Sequence, residues 1–204
     1  MALYADMIQV KRYVNNVFSS NTYIVRKTED KNCLLVDCGD SEELFIDLRK
    51  DGLNVVAVLL THAHFDHICG LNHLLKYYPS VEIYTNDFGK ESLLSDKLNL
   101  SKYHSVPFVL ANENRIYLLD NSQSEIETSG IKASLFFVPG HNPSCIAYKI
   151  EDYLFSGDAY IPGIKVVTNV PNSDKSLAIS NYHYLESISK HCTICAGHGE
   201  IVKY

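Results

Sequence analysis

The chain has 204 residues, 46% hydrophobic and 21% charged, the balance of a folded protein with one sizeable core rather than a disordered segment. Its formal net charge of −6 offers no basic field for a polyanion, so nucleic-acid binding through counterion release is not expected. No run approaches the roughly 20 apolar residues of a membrane span, and Met1 to Val10 carries Asp6 and Gln9 where a secretory leader would be apolar, so a cytoplasmic protein without a membrane partner is expected.

In chain order, apolar alternation and helical spacing predict strands over 7–12, 22–27 and 33–37, then a helix over 41–51. A strand over 55–60 follows, a helix over 69–78, a strand over 82–85 and a helix over 87–95. After a looser polar stretch, strands are predicted over 115–119, 132–138, 145–150 and 153–156, a long helix over 175–190 and a strand over 193–196. No repeat or low-complexity linker divides the chain, so a single domain over residues 1–204 is expected. Two mixed sheets face to face, with helices outside, accommodate this α/β order.

The segment Thr61-His62-Ala63-His64-Phe65-Asp66-His67 packs three imidazoles and a carboxylate directly after the apolar run Val55 to Leu60. While the backbone is extended, His62 and His64 at i and i+2 project to one side and can share an ion. Asp66 and His67 lie where Ile68, Leu71, Leu74 and Leu75 begin a helical rhythm, better placed to reach a second ion. Neutral imidazole and carboxylate suit zinc, iron or manganese, and ligand type alone does not select among them. Three further apolar runs end in a glycine turn followed by a ligand: Pro139-Gly140-His141, Gly157-Asp158 and Gly197-His198-Gly199.

Taken in order, these motifs resemble the metallo-β-lactamase superfamily over nearly the whole chain. Ser20 to Val25 and Leu34 to Gly39 are similar to that family's early strand and its strand with an Asp-x-Gly turn. The resemblance implies a four-layer αββα sandwich with the site along one edge. It implies that His62, His64 and His141 hold a first metal, that Asp66, His67 and His198 hold a second, and that Asp158 bridges the two. Two zinc ions per chain are expected, with iron or manganese as alternatives, in a hydrolase acting on a small-molecule substrate. Asp66 would combine ligation with orientation of a hydroxide nucleophile. Asp37 is read as orienting a ligand histidine from behind, the alternative being a turn residue before Gly39. Tyr160 and Ile161, which leave the site directly after Asp158, are read as lining a substrate pocket, and His104 as an exposed loop histidine.

Within the superfamily the motifs are most similar to the glyoxalase II group, thioesterases that cleave hydroxyacyl-glutathione, and three departures follow from the comparison. The sequence ends at Tyr204, so the helical C-terminal domain that supplies that group's basic residues is not expected. Asp158 is followed by Ala159-Tyr160-Ile161 rather than by a Gly-Arg, and His141 by Asn142-Pro143-Ser144 where the group usually has Thr and Gly at the first and third positions. Hydrolysis of a small thioester or ester-like substrate is therefore expected, with glutathione dependence open. The resemblance also admits a mononuclear iron persulfide dioxygenase using His62, His141 and Asp158, or a non-catalytic metal-binding protein. Of the six cysteines, Cys192 and Cys195 form a Cys-x-x-Cys that alone suggests a redox pair or half a zinc site, but no second such pair exists and Cys145 and Cys195 lie in apolar runs that read as holding small buried hydrophobes, while Cys38 and Cys69 flank the ligand loops. Nothing in the sequence speaks to oligomeric state.

Overall fold

The computed structural model describes residues 7–204, and the expectation for Met1 to Asp6 lies outside them. Six strands form the first sheet: β1 (Ile8–Val14), β2 (Asn21–Lys27), β3 (Asn32–Val36), β4 (Asn54–Leu59), β5 (Glu82–Thr85) and β6 (Ile116–Leu118), neighbours in that order. The β1–β2 and β2–β3 pairs are antiparallel and the rest parallel. The parallel strands need crossovers, which α1 (Glu42–Lys50), α2 (Phe65–Ile68), α3 (Leu71–Tyr77) and α4 (Asp87–Leu93) provide. A second sheet holds β7 (Glu125–Thr128), β8 (Ile131–Phe137), β9 (Ile146–Ile150), β10 (Tyr153–Gly157), β11 (Thr193–Ala196) and β12 (Val202–Lys203), again in sequence order, with β10–β11 as its parallel pair. Helix α5 (Lys175–Ile188) makes that crossover, and Asp174 caps it by accepting from the Leu177 amide at 2.9 Å.

Strand alternation sorts the apolar residues into three layers. Leu34, Val36, Ala57 and Leu59 face Leu135, Tyr148, Phe155 and Cys195 between the sheets. Their sequence neighbours Cys33, Leu35, Val58 and Leu60 turn outward onto Leu44, Leu48, Leu71 and Leu74 of α1 and α3. On the far side, Ala147, Leu154, Ile194 and Ala196 pack against Leu185 of α5. Helix, sheet, sheet and helix thus form the αββα sandwich of two mixed sheets.

Three local features differ from the sequence expectation. The helix expected over 69–78 is α3, starting at Leu71, and a short helix not expected, α2, precedes it, because the chain breaks at Cys69 and Gly70 to bond the Asp37–Gly39 turn. The Cys38 amide donates to the His67 carbonyl at 2.8 Å and the Gly70 amide to the Cys38 carbonyl at 2.9 Å. Edge strands β7 and β12 were not expected: Glu-Ile-Glu-Thr buries only one apolar side chain in part, and β12 has two residues. A 3-10 turn at Ser101–Tyr103 also interrupts the polar stretch, closed by the Asn99 and Ser101 side chains.

Candidate metal centre

All seven expected ligands stand at one end of the sandwich. Residues after β4 supply His62, His64, Asp66 and His67 from the first sheet, and residues after β8, β10 and β11 supply His141, Asp158 and His198 from the second. The chain is still extended at His64, φ −74° and ψ 151°, before α2 begins. That extension places the His62 and His64 rings on one side, their centroids 4.8 Å apart. His141 joins them across the sheets, with its Nε2 2.9 Å from His64 Nδ1. Each of the three offers a nitrogen within 4.8 Å of the others, and all are buried.

Asp66, His67 and His198 form a second cluster of the same size. Asp66 Oδ2 lies 3.3 Å from His67 Nε2 and 3.4 Å from His198 Nε2. Asp158 reaches both clusters, with Oδ2 3.6 Å from His141 Nε2 and 3.5 Å from His198 Nε2, and Oδ1 3.6 Å from His67 Nε2. This approach depends on Gly197, where an added Cβ would come 2.1 Å from Asp158 Oδ1. The open side is that of His198, whose side chain is 27% exposed.

Asp37 works from behind. Its backbone is left-handed, φ 59°, a conformation that short polar side chains tolerate. Oδ1 accepts from the Thr61 amide at 2.7 Å, and Oδ2 accepts from Thr61 Oγ1 at 2.7 Å and lies 2.9 Å from His67 Nδ1. The ring is thereby fixed with Nε2 directed at Asp66 and Asp158. Although Asp37, His62 and His67 also lie within ligand distance of one another, Asp37 occupies the opposite nitrogen of His67 and is spoken for by Thr61.

Whether the residues suit a cation can be judged from their unpaired atoms. Among the described residues, His62 Nε2, His67 Nε2 and Asp158 Oδ1 are buried without a hydrogen-bond partner. A buried polar atom left unpaired costs about 1–3 kcal/mol, and here three converge on one place. Their chemistry, imidazole nitrogen and carboxylate oxygen, is that of a zinc, iron or manganese site.

The electrostatics divide the clusters. Burial, reinforced by the neighbouring imidazoles, pushes His62 well below its usual range and His64 down to about 3, so both are neutral. Burial alone would raise Asp66 and Asp158, but His67 and the other imidazoles outweigh it and hold both ionised, Asp158 down to about 2. Conversely, burial disfavours charge on His67 and His198, yet the carboxylates draw His67 far up and His198 to about 9. The second cluster thus favours positive charge.

The family model for the metallo-beta-lactamase superfamily matches residues 15–198. The chain belongs to this superfamily. A hydroxyacylglutathione hydrolase of Buchnera aphidicola subsp. Schizaphis graminum is 25% identical over 183 residues, 90% of this chain and 64% of the relative. The chain thus spans less than two thirds of that relative's length. Among solved structures, the BLEG-1 B3 metallo-beta-lactamase superposes with a TM-score of 0.87 at 26% identity, covering 96% of this chain and 94% of the other. TTHA1623 in a di-iron-bound form superposes at 0.79 with 22% identity, covering 95% and 94%, a likeness of fold.

Not every expected site residue of this superfamily member reaches the centre. Tyr160 is buried in the layer beneath α5, its ring edge-on to Tyr182 at 4.9 Å. Ser156 Oγ donates to the Tyr160 carbonyl at 2.6 Å, and the ring lies on the helix side of the sheet. Ile161 packs in part against the same layer. His104, expected as a free loop residue, instead packs on Phe65 and Phe18, ring centroids 4.7 and 5.2 Å away. The rim beside the ligand loop is therefore aromatic. Sequence reasoning gave no role to Thr61, which holds Asp37, or to Ser20, whose hydroxyl donates to the Asp66 carbonyl at 2.8 Å. Their adjacency to the motifs was the one available signal. All six cysteines are free thiols, and burial raises Cys38, Cys69, Cys145 and Cys195 well above the usual range, leaving them inert as nucleophiles.

Proposed function

We propose that this chain is a metal-dependent hydrolase that cleaves a small thioester or ester-like substrate at a dinuclear site. The observation that carries the reading is the convergence of the unpaired His62 Nε2, His67 Nε2 and Asp158 Oδ1 between two donor clusters that Asp158 touches together. His62, His64 and His141 would hold one ion, Asp66, His67 and His198 the other, with Asp158 between. When bound, such cations lower the pKa of water from about 15.7 to near 7 and polarise a substrate carbonyl.

The remaining work falls to the chain. Asp66, held ionised and opening toward the exposed side, accepts a hydrogen bond from the attacking water and orients it. Asp158 fixes the separation of the clusters, while Asp37 and Thr61 keep His67 from rotating. The aromatic rim of Phe18, Phe65 and His104 offers an apolar surface to the part of the substrate that is not attacked. This reading takes the chain as a single domain acting on a small molecule in the cytoplasm. Its relationship to a hydroxyacylglutathione hydrolase supports a thioester.

The test is metal content by elemental mass spectrometry on protein purified without added metal, followed by a panel of thioesters, esters and lactones. About two zinc ions per chain, with hydrolysis abolished by chelation and restored by zinc, is the expected result. About one iron per chain, with oxygen uptake on a persulfide and no hydrolysis, would replace the hydrolase by a dioxygenase.

A further inference from the structure

Two loops that supply no ligand carry strained backbone and meet beside the centre. In the turn between β1 and β2, Phe18 and Ser19 both have positive φ, 53° and 54°, the requirement of a type I′ hairpin turn that Asn-Gly meets freely. Here both residues carry a Cβ that crowds the backbone in this region. In the loop between α4 and β6, Leu100 is left-handed at φ 69°, although it is neither glycine nor a short polar residue.

Each loop is pinned at its base. The Asn16 and Val17 amides donate to Asp40 Oδ1 at 2.8 and 3.1 Å, and Asn16 Nδ2 donates to the Asp40 carbonyl at 3.0 Å. On the far side of the turn, Ser20 forms a bridge with the ligand His198, and its hydroxyl donates to the carbonyl of the ligand Asp66. The other loop is fastened where the Phe65 amide donates to the Asn99 carbonyl at 2.9 Å, and Asn99 Nδ2 donates to the Ser92 and Phe108 carbonyls. The two tips touch: His104 stands edge-on to Phe18 and tilted against Phe65, which sits between His64 and Asp66 in the chain. Phe18 nevertheless stays 65% exposed, on the side where His198 opens the centre.

A ring this exposed adds little to the core, and glycine would take its backbone position without strain. Strained backbone that its surroundings hold in place at the edge of a site points to function. What the two loops present is a flat apolar wall beside the ligands. A two-carbon acyl group would leave that wall uncovered, whereas an aromatic one packs on it in the offset or edge-on manner of paired rings.

Resting on the reading of this centre as a thioester hydrolase, we propose that Phe18 is its specificity-determining residue and that the substrate carries an aromatic acyl group, which packs against Phe18 and the His104–Phe65 pair. Asp40 is the positioning residue for this wall, since it holds the turn through the Asn16 and Val17 amides.

The acetyl and phenylacetyl thioesters of N-acetylcysteamine, which differ only in the acyl group, test this on the metal-loaded wild-type chain. The phenylacetyl thioester is expected to have at least about a 10-fold higher kcat/KM, the low end of what apolar contacts give in discrimination. Phe18→Ala is expected to erase that preference through KM, and Phe18→Tyr to keep it. Asp40→Ala is expected to lower it, with recovery in Asp40→Asn, which retains an acceptor oxygen. Equal kcat/KM for the two thioesters in the wild type, or an unchanged preference in Phe18→Ala, overturns the proposal and leaves the hydrolase standing. Cleavage of neither thioester overturns it as well, and a loaded chain inert on the whole panel of thioesters, esters and lactones removes the hydrolase reading with it. Thermal unfolding gives a second readout, because Phe18→Gly relieves the backbone and is expected to melt no lower than the wild type. A midpoint lower by more than about 4 °C would make the ring a folding element and overturn the proposal.

Discussion

The two donor clusters are built on opposite principles. His62, His64 and His141 are buried, and burial keeps His62 and His64 uncharged. Asp66, His67 and His198 include a carboxylate and share another, lie nearer the open side, and draw protons onto two of their imidazoles. The first cluster holds by shape and hydrogen bonding, the second by charge. An ion therefore meets stiff neutral ligands on one side and, on the other, carboxylates for which it must compete with protons.

Removing the group that both sides share should do the most. Asp158→Ala is expected to empty both positions, leaving less than half an equivalent of metal and lowering turnover by at least about 100-fold. His198→Ala is expected to deplete the charged cluster and leave about one equivalent in the neutral one. Elemental analysis of the two purified variants side by side checks this, and equal losses would show the division of ligands to be wrong. Asp37→Ala comes next, since it frees His67 to rotate without removing a ligand. A 10-fold to 100-fold fall in metal affinity, confined to one equivalent, is expected from chelator competition.

The smallest effect concerns the metal-free chain. His198 is raised from 6.5 to about 9 by Asp158 and Asp66 against the effect of burial. Its protonated form is thus favoured in the folded state, and the stability it contributes is complete below about pH 6.5. That stability is lost as the pH rises through 9. Thermal unfolding of metal-free protein across this window should show a falling midpoint that the His198→Ala variant lacks, and a rising midpoint would show the charged reading of this cluster to be mistaken.

The ligands were legible because each follows an apolar strand and a local turn, features carried by adjacent residues. The break between α2 and α3 was not, because its cause is the Asp37–Gly39 turn, some 30 residues away, whose Cys38 backbone bonds both His67 and Gly70. The place of Tyr160 was hidden for a similar reason: its ring packs edge-on to Tyr182 of α5, a contact that its nearness to Asp158 does not encode. Asn142 stood out only as a departure from a pattern. Its side chain meets a ring 78 positions earlier in the chain, a contact that no local signal encodes. The polar edge strand β7 was hidden by its own composition, since exposed strands need little hydrophobic patterning.

Four of the ligands belong to the first sheet and three to the second, so any ion in the centre rivets the two halves of the chain at one end of the sandwich. The same end is tied directly between the sheets by hydrogen bonds, among them the Asn21 amide to the Gly197 carbonyl, the Ile146 amide to the Thr61 carbonyl and the Tyr23 hydroxyl to the Ala196 carbonyl, while the rest of the contact is apolar. Metal occupancy and the joining of the halves are then one equilibrium, and each raises the other by mass action. Filling the centre is therefore expected to slow hydrogen exchange at the ends of β4 and β11, from which ligands of both halves lead off.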